Sequence, residues 1–581
     1  MCGFFCYLEI PSTNSDSLYK KSCENIYLLN NRGPDSSSKN FIEKENYNLF
    51  MAHSRLAIQD KSEIYKQPYF NPKSENTLIY NGEIYDYGKY NSEFEKSSSD
   101  TFALSHLLEM DNFDLSELDG MYSFVHWNKY SEKLTIARDR FGIKPLFIFR
   151  NSNLISLSSS LRLLSRVFNL KKINDENLKE LIFLGHSLDY GTIYKNINEF
   201  PINQISTFSA LDFSIKHKAI FNSEIFSRKK SRGNKFDKLN LEKKISKSIK
   251  RQLSHSDRGS GIFLSGGVDS SVLAGAAKKF ELLNPIENTF FSLSLKNSEH
   301  DESSRISQFK QLFDPNYIFN YRNIPFQEDN ILELLEDYLS LDYPILDLGI
   351  FPMMHLCKNI DKNTRVVLSG DGADELFGGY ERDRIALKRF KIKKYIPNLI
   401  KNFLYKNLPK KYSKYLKNEN ILELRFRLMG AEIITNKLKM GKFTFDKNNF
   451  LNLLKFEQQV YLRSVLAKVD AASMRYSLEV RVPYLSKLIT DYLSNKNSID
   501  FLKKPIKYEL KELLSSYSSK SFSYLNKKGF NIGSNDNLKL INKKLDYVKN
   551  LFLEDEFMEI IFSSDALISR LKLISFWVNG K

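Results

Sequence analysis

Position 2 is a cysteine followed by the small Gly3, so loss of Met1 would leave a thiol on the first residue. Its neighbour would then be a free α-amine with a pKa near ~8. Such an amine can serve as the general base that a cysteine nucleophile needs, with no separate histidine. A cysteine at this place also suits a small buried hydrophobe. The residues downstream favour chemistry, in the order Arg32-Gly33-Pro34-Asp35, His53-Ser54-Arg55-Leu56, Gln67-Pro68, Asn81-Gly82-Glu83-Ile84-Tyr85 and Ser99-Asp100. The Asn81 amide and the Gly82 N–H fit an oxyanion hole for amide cleavage. Arg55 offers a planar fork to an α-carboxylate, and Glu83 or Asp100 can receive an α-ammonium.

A second set suits phosphate. Gly261-Ile262-Phe263-Leu264 reads as an apolar strand, Ser265-Gly266-Gly267-Val268-Asp269-Ser270 as a turn, and Ser271-Val272-Leu273-Ala274 as the start of a helix. Backbone N–H groups and a helix N-terminus in such a turn stabilise an anion. Further on, Val366-Val367-Leu368 leads into Ser369-Gly370-Asp371-Gly372-Ala373-Asp374-Glu375, a glycine-rich acidic turn. Carboxylates beside a phosphate site suit magnesium, which takes a few acids plus phosphate oxygens. Asp269 and Asp374 are the candidate ligands.

The first ordered set resembles the class II glutamine amidotransferase domain, and SGGVDS resembles the pyrophosphate loop of ATP pyrophosphatases. It is not a GxxxxGK P-loop. Leu118-Asp119-Gly120-Met121 and Ala137-Arg138-Asp139-Arg140-Phe141-Gly142-Ile143-Lys144-Pro145-Leu146 extend the first resemblance in structural positions. With Asp342-Tyr343-Pro344, Asp347, Pro352 and the block Lys468 to Leu485, the chain resembles glutamine-hydrolysing asparagine synthetase of the bacterial type from Cys2 to Phe530. The resemblance implies glutamine hydrolysis at Cys2 through a thioester and passage of ammonia through an internal tunnel. At the second site it implies activation of the aspartate side chain as β-aspartyl-AMP, pyrophosphate release and amidation. It implies a glutamine-binding set of Arg55, Leu56, Ala57, Ile58, Asn81, Gly82, Glu83 and Asp100. The implied ATP-binding set is Leu264, Ser265, Gly266, Gly267, Asp269, Ser270, Leu293, Ser369, Gly370 and Lys527, with Asp371 at the position of an acidic residue needed for the intermediate. The cofactors implied are ATP as co-substrate and Mg2+.

Four departures bear on the substrate. Ser160 stands where relatives carry glutamate, Asp86 where they carry asparagine, Ser486 where they carry aspartate, and no Pro-Gly pair occurs near Pro201. A paralogue that amidates another carboxylate, such as a uronic acid in surface-polysaccharide biosynthesis, is the alternative.

These residues need a scaffold. A chain of 581 residues, 42% hydrophobic, is too long for one core. The expected fold is an α+β unit over 1–205, an Ntn-hydrolase αββα sandwich by resemblance, a linker over 206–240, and an α/β ATP-pyrophosphatase unit over 241–581. Alternation in Tyr122 to Trp127 and Leu134 to Ala137 predicts paired strands in the first. Apolar strands running into glycine loops and then helices predict a mainly parallel sheet in the second. Polar Ser227 to Gly233 marks the linker.

The net charge of +17 gathers in Lys388 to Lys394 and Lys410 to Lys414. Lysine is abundant throughout the chain, so these runs read as solvated faces, and neither nucleic acid nor attraction to an anionic membrane is expected. Expected partners are the small molecules glutamine, aspartate and ATP, with a homodimer left open. No apolar run reaches ~18 residues, so no membrane span is expected. Residues 1–10 lack a basic leader, and the four cysteines show neither CxxC spacing nor a disulfide framework. A reducing cytoplasm is the expected location.

Overall fold

The computed structural model describes residues 2–579 except 60–64, 91–98, 111–112, 222–224, 226–235, 255, 257, 296–300, 328, 409–419, 429–448, 497, 499–500, 502–503 and 526–564. Lys527 and the polar run at 227–233 lie outside the described residues.

The chain begins with β1 (Gly3–Glu9), β2 (Ser36–Glu43), β3 (Asn48–Arg55), β4 (Tyr69–Phe70), β5 (Thr77–Tyr85) and β6 (Asp119–Asn128). It continues with β7 (Lys133–Arg138), β8 (Phe147–Arg150), β9 (Leu154–Ser158), β10 (Ile197–Glu199), β11 (Gln204–Ser209) and β12 (Ile215–Ala219). They form two antiparallel six-stranded sheets, in the orders β10-β8-β9-β1-β3-β2 and β12-β11-β7-β6-β5-β4.

Side-chain alternation explains the layering. In β1, Phe4, Cys6 and Leu8 point between the sheets and meet Ile79, Val125 and Ile136 of the other. The intervening Phe5 and Tyr7 pack outward with Phe50 against helices that include Leu161–Val167 and Asp175–Leu184. The outer face of the second sheet, with Leu78, Tyr80 and Phe124, is covered by Leu104 and Leu107 of helix Asp100–Leu107. All seven residues of β1 are therefore buried, and the architecture is the expected αββα sandwich. β11 and β12 carry this sheet to Ala219, inside the 206–240 stretch expected to be linker. Ser206 and Ser209 in β11 and Lys216 and Lys218 in β12 hide the strand periodicity there: Ser206 is a buried polar residue, and the two lysines are exposed on the edge strand.

The second unit contains β13 (Gly259–Phe263), β14 (Asn288–Leu295), β15 (Asn320–Phe326), β16 (Thr364–Leu368) and β17 (Glu479–Arg481). Every pairing is parallel, in the order β15-β14-β13-β16-β17. The order reverses between β13 and β16. In open α/β sheets a crevice opens at the carboxyl ends of the strands at such a switch point.

Candidate functional site

Cys2 stands at the head of the central strand β1, and Asn81 lies on β5 of the facing sheet. The Cys2 backbone N–H donates to Asn81 Oδ1 at 3.2 Å, so the sandwich brings the two together at one end. Gly82 comes next with φ of 154°, and a Cβ there would lie 2.1 Å from the Met121 carbonyl oxygen. No other residue fits this approach, which leaves the backbone beside Asn81 clear of side chain. Burial pushes the Cys2 thiol up, while the amino terminus, a Leu56 backbone hydrogen bond and Arg55 pull it down. His53 is buried against the Tyr80 carbonyl at 3.1 Å, and burial lowers its pKa to about 3. It is therefore neutral and a poor base for the thiol.

Asp100 accepts from Tyr80 Oη at 2.9 Å and from the Ile84 N–H at 3.2 Å. Ser99 caps the same helix by accepting from the Thr101 N–H at 3.2 Å, which fixes Asp100 at its first turn. Glu83 accepts from Gln59 Nε2 at 2.9 Å and from Arg481 Nη2 at 3.1 Å. Arg55 reaches the Gln59 carbonyl at 3.4 Å. Leu56 and Ile58 are buried against Val366 and Met474 of the second unit, and the Ala57 N–H donates to Asp35 at 2.8 Å.

The second site is a cavity of about 290 Å³ at the β13/β16 switch point. Leu264, Ser265, Asp269 and Ser270 line it from one loop, Ser369, Gly370, Asp371 and Asp374 from the other, and Leu293 from the flanking strand β14. Gly370 lets the loops touch, since a Cβ there would meet the Asp269 Cβ at 2.9 Å. Gly266, at φ of 70°, makes the sharp turn into helix Val268–Lys279. Neither Gly266 nor Gly267 lines the cavity. Ser369 Oγ donates to Asp371 at 2.5 Å. Burial, with Asp374 adding its charge, pushes Glu375 up to about 8.

Lys507 is a residue that sequence reasoning misses. Its Nζ lies 2.6 Å from Asp269 Oδ2 and 2.5 Å from Asp374 Oδ1, bridging the two candidate metal ligands. The other oxygen of Asp269, Oδ1, is buried with no hydrogen-bond partner. Two converging carboxylates, one with an unsatisfied oxygen, fit a hard cation that draws its other ligands from phosphate. Among the described residues no group of three or more acidic, histidine or cysteine side chains adds to them. Asp347 and Lys468 also face this cavity and pair at 2.6 Å.

The two sites are joined in two ways. Arg481 on β17 is fully buried, with Nε 2.5 Å from Glu479 and Nη2 3.1 Å from Glu83. Its carbonyl accepts from the Ser369 N–H at 2.8 Å. One residue thus touches a candidate glutamine ligand with its side chain and a nucleotide loop with its backbone. Burial opposes charge on Glu479, but the amino terminus, Arg481 and Lys144 outweigh it and hold the carboxyl at about 2. Burial, reinforced by Asp100, drives Glu83 well above the carboxylate range despite Arg481. The closer Glu479 is the carboxylate that balances the guanidinium.

The second link is a run of cavities. Arg32 donates to the Cys2 carbonyl at 3.3 Å and lines a small cavity with Asp342, Tyr343, Ala467 and Asp470. The next cavity shares Glu199, Tyr343 and Ala467 with it, and shares Asp347, Val465 and Lys468 with the switch-point cavity. Two departures fall at contacts between the two units. Ser160 caps helix Leu161–Val167 and donates to Asp342. Asp86, at φ of 60°, pairs with Arg251 of helix Lys238–Ser254.

An αββα sandwich of the N-terminal-nucleophile type, joined to a parallel-sheet unit of the ATP-pyrophosphatase type, defines a two-domain amidotransferase. The glutamine amidotransferase domain family matches residues 1–218, and the asparagine synthase family matches residues 240–571. The chain belongs to the asparagine synthase family. It is 29% identical over 407 residues to a probable glutamine-hydrolysing asparagine synthetase of Acanthamoeba polyphaga mimivirus, covering 66% of this chain and 68% of the relative. A putative asparagine synthetase of Methanocaldococcus jannaschii is 30% identical over 379 residues, covering 61% of this chain and 71% of the relative. Asparagine synthetase 1 of Bacillus subtilis is 27% identical over 537 residues, covering 85% of this chain and 81% of the relative.

Proposed function

We propose that the chain is a glutamine-hydrolysing, ATP-dependent asparagine synthase. The observation that carries this reading is the run of adjoining cavities from Arg32, beside Cys2, to the Lys468 wall of the switch-point cavity. Cavities that share walls in this way fit the passage of a small neutral molecule between the sites.

With Met1 removed, the Cys2 α-amine takes the thiol proton as sulfur attacks the side-chain amide carbon of glutamine. Asn81 and the Gly82 N–H stabilise the oxyanion. The α-amine returns the proton to departing ammonia, and water then cleaves the thioester to glutamate. Arg55 holds the α-carboxylate of glutamine, Asp100 its α-ammonium, and the Leu56, Ala57 and Ile58 segment its flank. Glu83 orients this site through Gln59 and Arg481.

In the switch-point cavity, a carboxylate oxygen of aspartate attacks the α-phosphorus of ATP and diphosphate leaves. Ammonia then attacks the acyl carbon, its surplus proton passes to Asp371, and AMP leaves. Leu264 and Leu293 pack on the nucleotide, while the Ser265 to Ser270 loop and Ser369-Gly370 hold its phosphates. Lys507 shifts from its carboxylates onto phosphate oxygens. Asp269 and Asp374 would hold magnesium, which neutralises phosphate charge when bound. Lys527 is proposed as a further phosphate contact from its sequence position alone. In this reading the protein acts in the cytoplasm.

The test is diphosphate release by purified protein with ATP, magnesium and ammonium, comparing L-aspartate with uronic acids and other carboxylates. Release with aspartate, accompanied by asparagine, is expected. Silence with aspartate and release with another acid would refute the substrate and keep the mechanism.

A further inference from the structure

The basic stretch after Tyr380 serves neither site. From Arg384 to Leu408 the chain has eight lysines and arginines and no aspartate or glutamate. A merely solvated face would carry those charges alone. Here large apolar side chains stand in water among them.

Two helices carry the feature, Glu381–Tyr395 and Asn398–Asn407, joined at Pro397. The first buries Ala386 and Leu387 toward the helices Ile421–Leu428 and Asn449–Phe456. Ile385 and Ile392, seven residues apart and so on one face, are exposed, as are Lys388 and Arg389 between them. At the end of the first helix and on the second, Tyr395 is 85% exposed, Leu399 86% and Phe403 66%. Leu399, Ile400 and Phe403 occupy one side of their helix at the i, i+1, i+4 spacing, and the exposed Lys391 and Lys406 flank this patch in sequence.

We infer that this face docks on an anionic membrane surface. Charge and apolarity together select that partner. A nucleic acid would satisfy the lysines but gives Leu399 and Ile400 no apolar phase to enter, and a second copy would set one basic patch against another. An anionic bilayer accepts lysines at its headgroups and leucine, isoleucine and aromatic side chains at the acyl boundary. The helices lie on the surface and do not cross it, since no helix among the described residues is long and apolar enough to span. The first helix begins one residue after Tyr380, which lines the switch-point cavity, so docking would hold that cavity near the headgroups.

The test is co-sedimentation of the full chain with phosphatidylcholine vesicles, with and without phosphatidylglycerol. Binding is expected only to the anionic vesicles and should weaken as salt rises. The combined variant Leu399→Ser, Ile400→Ser, Phe403→Ser should lower partition by about tenfold or more. These side chains are exposed and outside both sites, so melting temperature and diphosphate release in solution should not change. Lys388→Glu with Lys391→Glu should lower binding by a similar factor without touching the apolar patch. No binding to anionic vesicles, or equal binding by the serine variant, would overturn the inference. So would saturable tRNA binding without vesicle binding, or a dimer that the serine substitutions dissociate in the absence of lipid.

Discussion

Lys507→Met removes the ammonium that bridges Asp269 and Asp374 and keeps most of the side-chain volume. Two oxygens contacting one ammonium at 2.6 and 2.5 Å lie at most about 5 Å apart. At an effective dielectric constant of about 20, two unit charges at that distance repel by about 3 kcal/mol. Asp374 is one-fifth exposed, so water removes part of this, and a stability loss of about 2 kcal/mol is expected without divalent ions. Magnesium can replace the lost charge, so it should raise the melting temperature of the variant more than that of the parent. Catalysis should respond separately. A charge-assisted contact to phosphate is worth about 1.5–3 kcal/mol, which predicts a fall in kcat/KM for ATP of about 10- to 150-fold. The assays are thermal unfolding with and without magnesium, and diphosphate release against ATP concentration. An unchanged kcat/KM for ATP, together with equal magnesium responses, would refute the assignment of Lys507 to the phosphate and metal environment.

Cys2→Ala should abolish glutamine-dependent synthesis and spare ammonia-dependent synthesis, whereas Asp269→Ala should lose both; glutamine hydrolysis surviving in Cys2→Ala would remove the nucleophile. Arg481→Met takes from buried Glu479 the guanidinium that bonds it, leaving the amino terminus and Lys144 to offset its charge, and should cost about 3 kcal/mol in chemical denaturation. Glu479→Gln combined with Arg481→Met should recover much of that loss, and failure to do so would show that the guanidinium is not held by charge balance. Glu375 binds its proton more tightly folded than unfolded, so it lowers stability as pH rises from about 4.5 toward its folded pKa of about 8. At 1.36 kcal/mol per unit the loss between pH 5 and 8 is about 4 kcal/mol. Glu375→Gln, which can still accept from Tyr380, should flatten the profile, and a parallel decline in both proteins would sink the argument.

Residues adjacent in sequence make their own case. Ser265 to Ser270 and Ser369 to Glu375 each come directly after an apolar strand, so strand, loop and chemistry can be read together, and the parallel sheet puts both loops at one switch point. Asn81 and Gly82 are readable because amide cleavage calls for that pair of donors. The sandwich then supplies the facing sheet that sets Asn81 against Cys2. The sequence says little where the signal is common. β11 and β12 are hidden by serines in the one and exposed lysines in the other, and Lys507 is one lysine in a lysine-rich chain, 238 residues from the aspartate it touches. Arg481 belongs to a block that carries the family resemblance, but its bridge from Glu83 to the Ser369 loop exists only once both domains are packed. The basic helices read as solvated until the structure shows the first burying Ala386 and Leu387 and the second exposing Leu399 and Phe403. Sequence by itself determined which chemistry each loop can perform, because that depends on residue type within a few positions. Tertiary structure alone decided which charges meet, which cavities join and which apolar faces remain uncovered, because each depends on contacts between segments far apart in the chain.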